Sequence, residues 1–172
     1  QQLATYVDLL KIFVWLDQHH IAVRRRYLLD RLVEARLPLH LYGAHWDDSP
    51  YIHHPSVHIH PPLPANEMIA RFARSAILLN MVPSFPSGSH ERVFQALQAD
   101  AVCATHAGVY MREHFEADAY LAYTWSDPES LIVGLRNLLR DADQRAALVE
   151  KARKKAPEHT WAARARALLT VL

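Results

Sequence analysis

Cysteine, glycine, net charge and long apolar runs are all scarce in this 172-residue sequence, and each shortage closes off a class of protein. A single cysteine, Cys103, rules out a disulfide framework and fits a reducing compartment. Set in an apolar strand pattern, it reads as a small buried hydrophobe rather than a catalytic thiol. Only four glycines are present, and neither G-x-G-x-x-G nor G-x-x-x-x-G-K-[ST] spacing occurs, which weakens a dehydrogenase or kinase reading. The formal net charge of +1 sets up no field that would draw nucleic acid or an anionic membrane. No apolar run approaches the ~20 residues that span a bilayer, because Asp8 and Lys11 interrupt the one from 7 to 16. The first residues lack a basic segment and a small-residue cleavage site, so no secretory leader is read and a soluble, cytoplasmic protein is expected. The opening QQL, without Met, suggests a domain excised from a longer polypeptide.

What is present is a hydrophobic content of 51%, enough for one domain that buries roughly 70% of its unfolded surface without metal or disulfide. Short apolar runs alternate with helical periodicity. Residues 12–16 (IFVWL) are β-branched and aromatic and predict a first strand, followed by a helix over 21–36 with Val23, Tyr27, Leu28, Leu32 and Ala35 at helical spacing. Strands are predicted at 37–42, 57–60, 76–81, 101–105 and 120–123, with helices at 66–75, 90–99 and 109–116 and a polar, proline-broken loop at 44–56. Asp127 then Pro128 predicts an N-cap and first helical residue, with Leu131, Ile132, Leu135, Leu138 and Leu139 on one face of the helix they open. Helices at 143–155 and 161–172 complete the chain, the run 151–155 placing lysine and arginine on a solvated carboxyl end. Such alternation predicts an α/β fold, a Rossmann-like parallel sheet with helices on both faces.

In a doubly wound sheet, ligands gather at the carboxyl ends of the strands. The most informative stretch is 76–105, which reads strand, polar loop, helix start, helix, strand. Its loop carries Pro83, Pro86, Ser87 and Gly88, and Ser89, His90, Glu91 and Arg92 open the helix. Unpaired N–H groups at a helix start, the macrodipole and an arginine together suit a phosphate. His90 there could bond phosphate or a sugar hydroxyl, or be a plain helix-start residue. Gly43 is the candidate of the loop after the second strand. Arg24, Arg25 and Arg26, beyond a first loop at 17–20, could meet phosphate or form a solvated face. His53, His54, His58 and His60 cluster, with His58 and His60 on one strand face, a spacing compatible with adventitious metal binding. Trp46, Trp125 and Trp161 could line a cleft or simply pack.

The segments NMVPSFPSGSHERVFQALQAD, VCATHAGVYMREHF and the carboxyl-terminal run ending in EHTWAARARALL resemble the CgeB-like, spore-maturation-type branch of group 1 glycosyltransferases. The resemblance extends upstream to IFVWLDQHHIAVRRRYLLDRL and LHLYGAHW, and its most specific pieces are Leu79–Asn80, the ERVF that opens at Glu91 and the EHTW that opens at Glu158. It implies the carboxyl-terminal half of a GT-B fold, residues 1–172 forming one nucleotide-sugar-binding domain. An amino-terminal acceptor-binding domain of the same polypeptide would be its partner, and catalysis would take place between the halves. The expected ligand is a UDP- or GDP-linked sugar; no cofactor is expected, and the chain alone is not expected to turn over.

By position, the helix start from Gly88 through Ser89 and His90 to Arg92 would face the donor diphosphate, with Asn80 among the donor-binding residues. Gln95 stands where the family carries a glutamate for the ribose hydroxyls, Ser87 where the wider group has its sister glutamate, and Asp100 where a glycine is usual. An amide offers one acceptor where a carboxylate offers two, so the resemblance also admits a degenerate scaffold that has lost donor chemistry. A sugar-nucleotide enzyme of another type, with Glu91 as its carboxylate, is a further alternative.

Overall fold

No glycine or proline occurs before Pro38, and in the computed structural model the chain runs as one helix, α1 (Gln2–Glu34), over that whole stretch. The structure describes residues 2–82, 84 and 87–170, with side chains from Tyr6 onward; Pro83 and Pro86 of the anticipated loop lie outside the described residues. The strand anticipated at 12–16 is therefore helical, and 17–20 is not a loop. Spaced pairs hold that turn of helix: Lys11 with Asp8 at 3.2 Å, and the rings of Trp15 and His19 stacked at 5.4 Å. Where α1 stops, Leu37 N–H bonds Leu32 C=O and Arg36 N–H bonds Val33 C=O, which puts Arg36 in the left-handed region at φ 54°.

Beyond it come β1 (Leu39–Tyr42), β2 (Val57–His60), α2 (Ala65–Phe72), β3 (Ile77–Asn80), α3 (Glu91–Gln98), β4 (Val102–His106), α4 (Val109–His114) and β5 (Leu121–Tyr123). Then follow α5 (Pro128–Arg140), α6 (Ala142–Lys155), a 3₁₀ turn (Ala156–His159) and α7 (Trp161–Leu169). Asp127 caps α5 by accepting from Ser130 N–H, with Pro128 at the first turn as anticipated. All strand pairs are parallel, but the strands form two sheets, β1-β2 and β3-β4-β5, not the single sheet that alternation alone suggests.

Period-two alternation gives the larger sheet two packed faces. Leu78 and Cys103 point into a core with Val93, Leu97, Met111 and Phe115 from α3, α4 and the segment after it. Ala104 and Tyr123 point the other way, onto Leu28 and Leu32 of α1 and Leu131, Ile132 and Leu135 of α5. Leu29 and Val33 of the same α1 pack with Tyr51 and Val57 against the smaller sheet. Arg31 pairs with Glu129, and Arg136 donates to Ala35 C=O at 2.9 Å, which fastens α1 to α5. At Gly134 of α5 a Cβ would come within 2.6 Å of Leu121 Cδ1, so the helix lies directly on β5. Burial pushes the Cys103 thiol up to about 12, which keeps it protonated and inert. Among the described residues no helix is long and apolar enough to cross a membrane.

Leu32→Ala is expected to lower unfolding free energy by about 2–5 kcal/mol, because the leucine is fully buried between α1 and the sheet. Arg36→Gly should instead raise it by about 0.5–1 kcal/mol by relieving the left-handed backbone. Chemical denaturation of the two variants beside the parent checks both signs.

Candidate functional site

The carboxyl ends of β3, β4 and β5 meet in a small polar lattice at a depth where apolar side chains would normally sit. Asn80 is 0% exposed; its amide Nδ2 donates to Thr105 Oγ1 at 3.0 Å, and Tyr123 O–H donates to Asn80 C=O at 3.2 Å. Asn80 Oδ1 has no partner among the described residues. Turning the amide over only exchanges the problem, since the Thr105 hydroxyl satisfies one of the two amide atoms and leaves the other. A buried amide with an open position costs stability unless something bonds it, so its presence at the carboxyl ends of three strands is chemically informative.

From Asn80 the chain passes through Ser87 and Gly88 to α3. Ser87 is exposed, while Ser89 is half-buried and its Oγ approaches Met111 Sδ at 3.8 Å, tying the loop to α4. His90 is the N-cap, extended at φ −94°, ψ 150°, yet its side chain makes no cap hydrogen bond. The first-turn donors of α3 are thus not served by the residue that normally serves them, and the positive end of the helix opens on the crevice.

The charges of Arg92 on α3, of Arg24 and Arg25 on α1 and of Arg112 on α4 are felt at the two imidazoles near that point. Burial holds the His90 imidazole below its ordinary value, and Arg92 and Arg25 lower it further. His106, at the end of β4, is lowered by burial and then by Arg112 and Arg24. Arg92 keeps contact with solvent, but the protein packed around its guanidinium and the charge of Arg25 both disfavour its cation. The Arg24 guanidinium lies 5.5 Å over the Trp125 ring, which in turn stacks on His106 at 6.3 Å and meets Tyr123 edge-on. Repulsion among grouped cations is relieved by an anion, and Glu91 offsets it only in part.

One turn further along α3, Gln95 Nε2 donates to Glu91 Oε1 at 2.9 Å. The amide spends a donor within the protein and keeps its carbonyl oxygen as an acceptor, beside a carboxylate that also accepts. Asp100, at φ 54°, occupies the left-handed position that ends α3, and its carboxylate is held below the usual range by Arg153, 2.9 Å away. It serves the helix stop rather than the crevice.

Of the residues expected from sequence, Asn80, Ser89, His90, Arg92 and Gln95 come together around α3, with Ser87 and Gly88 on the turn before it. Gly43 does not join them: it ends β1 in the other sheet, at φ 147°, where a Cβ would press Trp46 Nε1 at 3.3 Å. His106 and Arg112 join the site without a signal of their own in the sequence, and Trp125, one of the tryptophans expected to line a cleft or pack, lies with them. Arg24 and Arg25 do face it; the triple arginine was the available signal. His58 and His60 flank His40, with rings stacked at 4.8 and 5.2 Å and His40 Nδ1 2.9 Å from His60 Nε2. Among the described residues no group of three or more His, Cys, Asp or Glu is placed to hold a metal ion.

The glycosyl transferase-like family model matches residues 24–170 of the chain. No curated protein matches it. Among solved structures, the crystal structure of HepE from Anabaena in complex with UDP-glucose is similar with a TM-score of 0.60 at 13% identity, over 81% of this chain and 43% of that one. The chain spans less than half the length of that protein. The likeness is one of fold: an α/β, Rossmann-like arrangement of the GT-B type.

Burial more than any neighbouring charge lowers His40, His90, His106 and His159 from 6.5. The unfolded chain then binds protons more readily than the folded one. These rings contribute stability above the unfolded value, and it is lost as pH falls through 6.5 toward the folded values. The thermal midpoint is expected to drop between about pH 7.5 and 5.5, and inorganic phosphate should lessen the drop by pairing the crevice cations. A midpoint that stays level over that range, in a series of melts, would contradict the burial of these rings.

Proposed function

Since this chain belongs to the glycosyl transferase-like family, we propose that it is the donor-binding domain of a GT-B glycosyltransferase, holding the diphosphate of a UDP- or GDP-linked sugar at the start of α3. The observation that carries this reading is buried Asn80, with an amide atom open, on the strand that leads to the start of α3, where the N-cap His90 makes no side-chain cap bond and Arg92 stands in the first turn within the field of Arg25. Phosphate oxygens accept from the first-turn N–H groups of α3 and from Arg92, while Gln95, one turn along and bonded to Glu91 of the first turn, is left to meet the ribose hydroxyls. In sugar transfer the bond from the anomeric carbon to the diphosphate breaks, its electron pair leaves with the diphosphate, and the acceptor oxygen forms the new bond. Fixed donors and cations already facing the leaving group stabilise that charge without reorganisation. The acceptor, and the base that takes its proton, belong to an amino-terminal domain of the same polypeptide on this reading. The finer placing is the CgeB-like branch with a hexosyl donor, supported by the ERVF and EHTW segments, and a cytoplasmic setting, supported by the single cysteine.

A second reading has its own observation. Gln95 already bonds Glu91 within the helix, as a residue relieved of ribose duty would, so a scaffold that keeps the fold and has lost donor chemistry is the alternative.

Titration of the chain with UDP, GDP and UDP-glucose, followed by amide chemical shifts, should move Asn80, Ser89 to Gln95 and residues 105–108. Arg92→Ala should weaken that binding about tenfold, with a smaller loss at high salt where the arginine matters less. If millimolar nucleotide moves none of these signals, the donor-binding reading fails. Gln95→Glu alone sets two carboxylates one turn apart, so the informative variant is Glu91→Gln with Gln95→Glu. A several-fold gain in nucleotide affinity marks a weakened donor site, and no gain favours the scaffold.

A further inference from the structure

We propose that His159 is a positioning residue for the crevice: as a neutral ring that accepts from Arg164, it clasps α3, α4 and α7 together and so sets where the start of α3 stands. Its effect on nucleotide rests on the donor-binding reading, whereas the clasp itself does not.

The 3₁₀ turn after α6 delivers His159 into an aromatic slot. Its ring stacks on Phe94 of α3 at 5.1 Å and on Phe115, just past α4, at 4.9 Å, with interplanar angles of 24° and 18°. Tyr110 of α4 meets Phe94 edge-on at 6.1 Å and closes the slot. Packing alone would be served by phenylalanine, which fills such a sandwich with no polar atom to satisfy. The imidazole instead leaves Nε2 buried with no partner among the described residues. An orphan of that kind costs stability, so it is the use made of the other nitrogen that sets this ring apart from a hydrocarbon one.

Arg164 Nη2 lies 2.8 Å from Tyr110 Oη and 3.3 Å from His159 Nδ1, and Tyr110 Oη is 3.3 Å from that same nitrogen. A guanidinium only donates, and a hydroxyl that has accepted from it has its own proton to give. Nδ1 is therefore the acceptor, and the ring proton sits on Nε2. Arg164 also stands 6.0 Å over the Phe94 ring, so one cation of α7 reaches both α3 and α4. A proton on Nδ1 would face that cation across the same gap. Burial, then Arg164, His114 and Lys155, hold the imidazole below its ordinary value, and of the charges around it only Glu158 opposes them.

The clasp grips α3 and α4 within a turn of the crevice. Phe94 lies between Arg92 and Gln95, and Tyr110 precedes Met111, whose Sδ takes the Ser89 hydroxyl at 3.8 Å. A shift of Phe94 or of Tyr110 is thus passed to residues on both sides of the α3 start.

His159→Phe keeps the stack and removes the acceptor, which separates positioning from packing. In amide spectra of the ligand-free chain at neutral pH it should displace Ser89, Arg92 and Gln95, while the denaturation midpoint does not fall and UDP affinity drops about three- to tenfold. Arg164→Met should displace the same signals, and Arg164→Lys, which retains a donor, should restore most of them. In an acid series the amides of α7 should track the His159 ring as it gains a proton, and in His159→Phe they should stay level. Unmoved Ser89, Arg92 and Gln95 signals in His159→Phe would overturn the proposal, and so would α7 amides of the parent that ignore the titration of the ring. Equal UDP affinity in parent and variant would overturn it as well. If the parent binds no UDP, the donor-binding reading fails by itself, and the ligand-free spectra still decide the clasp. If His159→Phe does not fold, the two Arg164 variants make the same comparison.

Discussion

The structure depends on the carboxyl-terminal half of α1 lying across both sheets at once. Leu28 and Leu32 face the three-stranded sheet, Leu29 and Val33 the two-stranded one, and these neighbouring helix positions are the packing that the two share. Two short parallel sheets are poor structures by themselves, since parallel strands need both faces covered. One amphipathic helix with two apolar stripes covers a face of each and fixes their relation. The ion pair of Arg31 with Glu129 and the Arg136 bond to Ala35 add orientation more than energy, because they sit in solvent.

The same helix reaches the crevice. About one turn before Leu28 it carries Arg24 and Arg25, and their fields are felt at His106 and at His90 and Arg92 respectively. The side that packs and the side that meets the ligand are thus fixed by one rigid rod, so the cation cluster inherits its geometry from the core. Asn80 does the equivalent on the sheet. Its bonds to Thr105 and from Tyr123 lock the ends of three strands together, and the remaining amide atom looks for a partner from outside.

Much of this was legible in the sequence, for physical reasons that can be separated. The five observed strands follow from short apolar runs closed by polar or turn residues, and α5 from the Asp127–Pro128 start, signals carried by neighbours in the chain. The opening of α3 was visible because glycine, serine and histidine ahead of a periodic run mark a helix start. Residues 12–16 misled because a five-residue window weighs β-branched and aromatic side chains. What shaped α1 is the absence of any breaker across thirty-odd positions. The split of the sheet was invisible, since which strands pair is settled by contacts far apart in sequence. So was the meeting of Arg24 with Trp125 and His106, which depends on where α1 lies.

Cys103 is the chain's one thiol, buried under α3 and α4 and held protonated. It can react with an alkylating reagent only when the sheet parts from those helices and the thiol reaches water. Its labelling rate is consequently a clock for the opening of the core beneath the crevice. Because β4 carries both Cys103 and Thr105, a ligand that grips Asn80 and its neighbours would slow that clock without touching the sulfur.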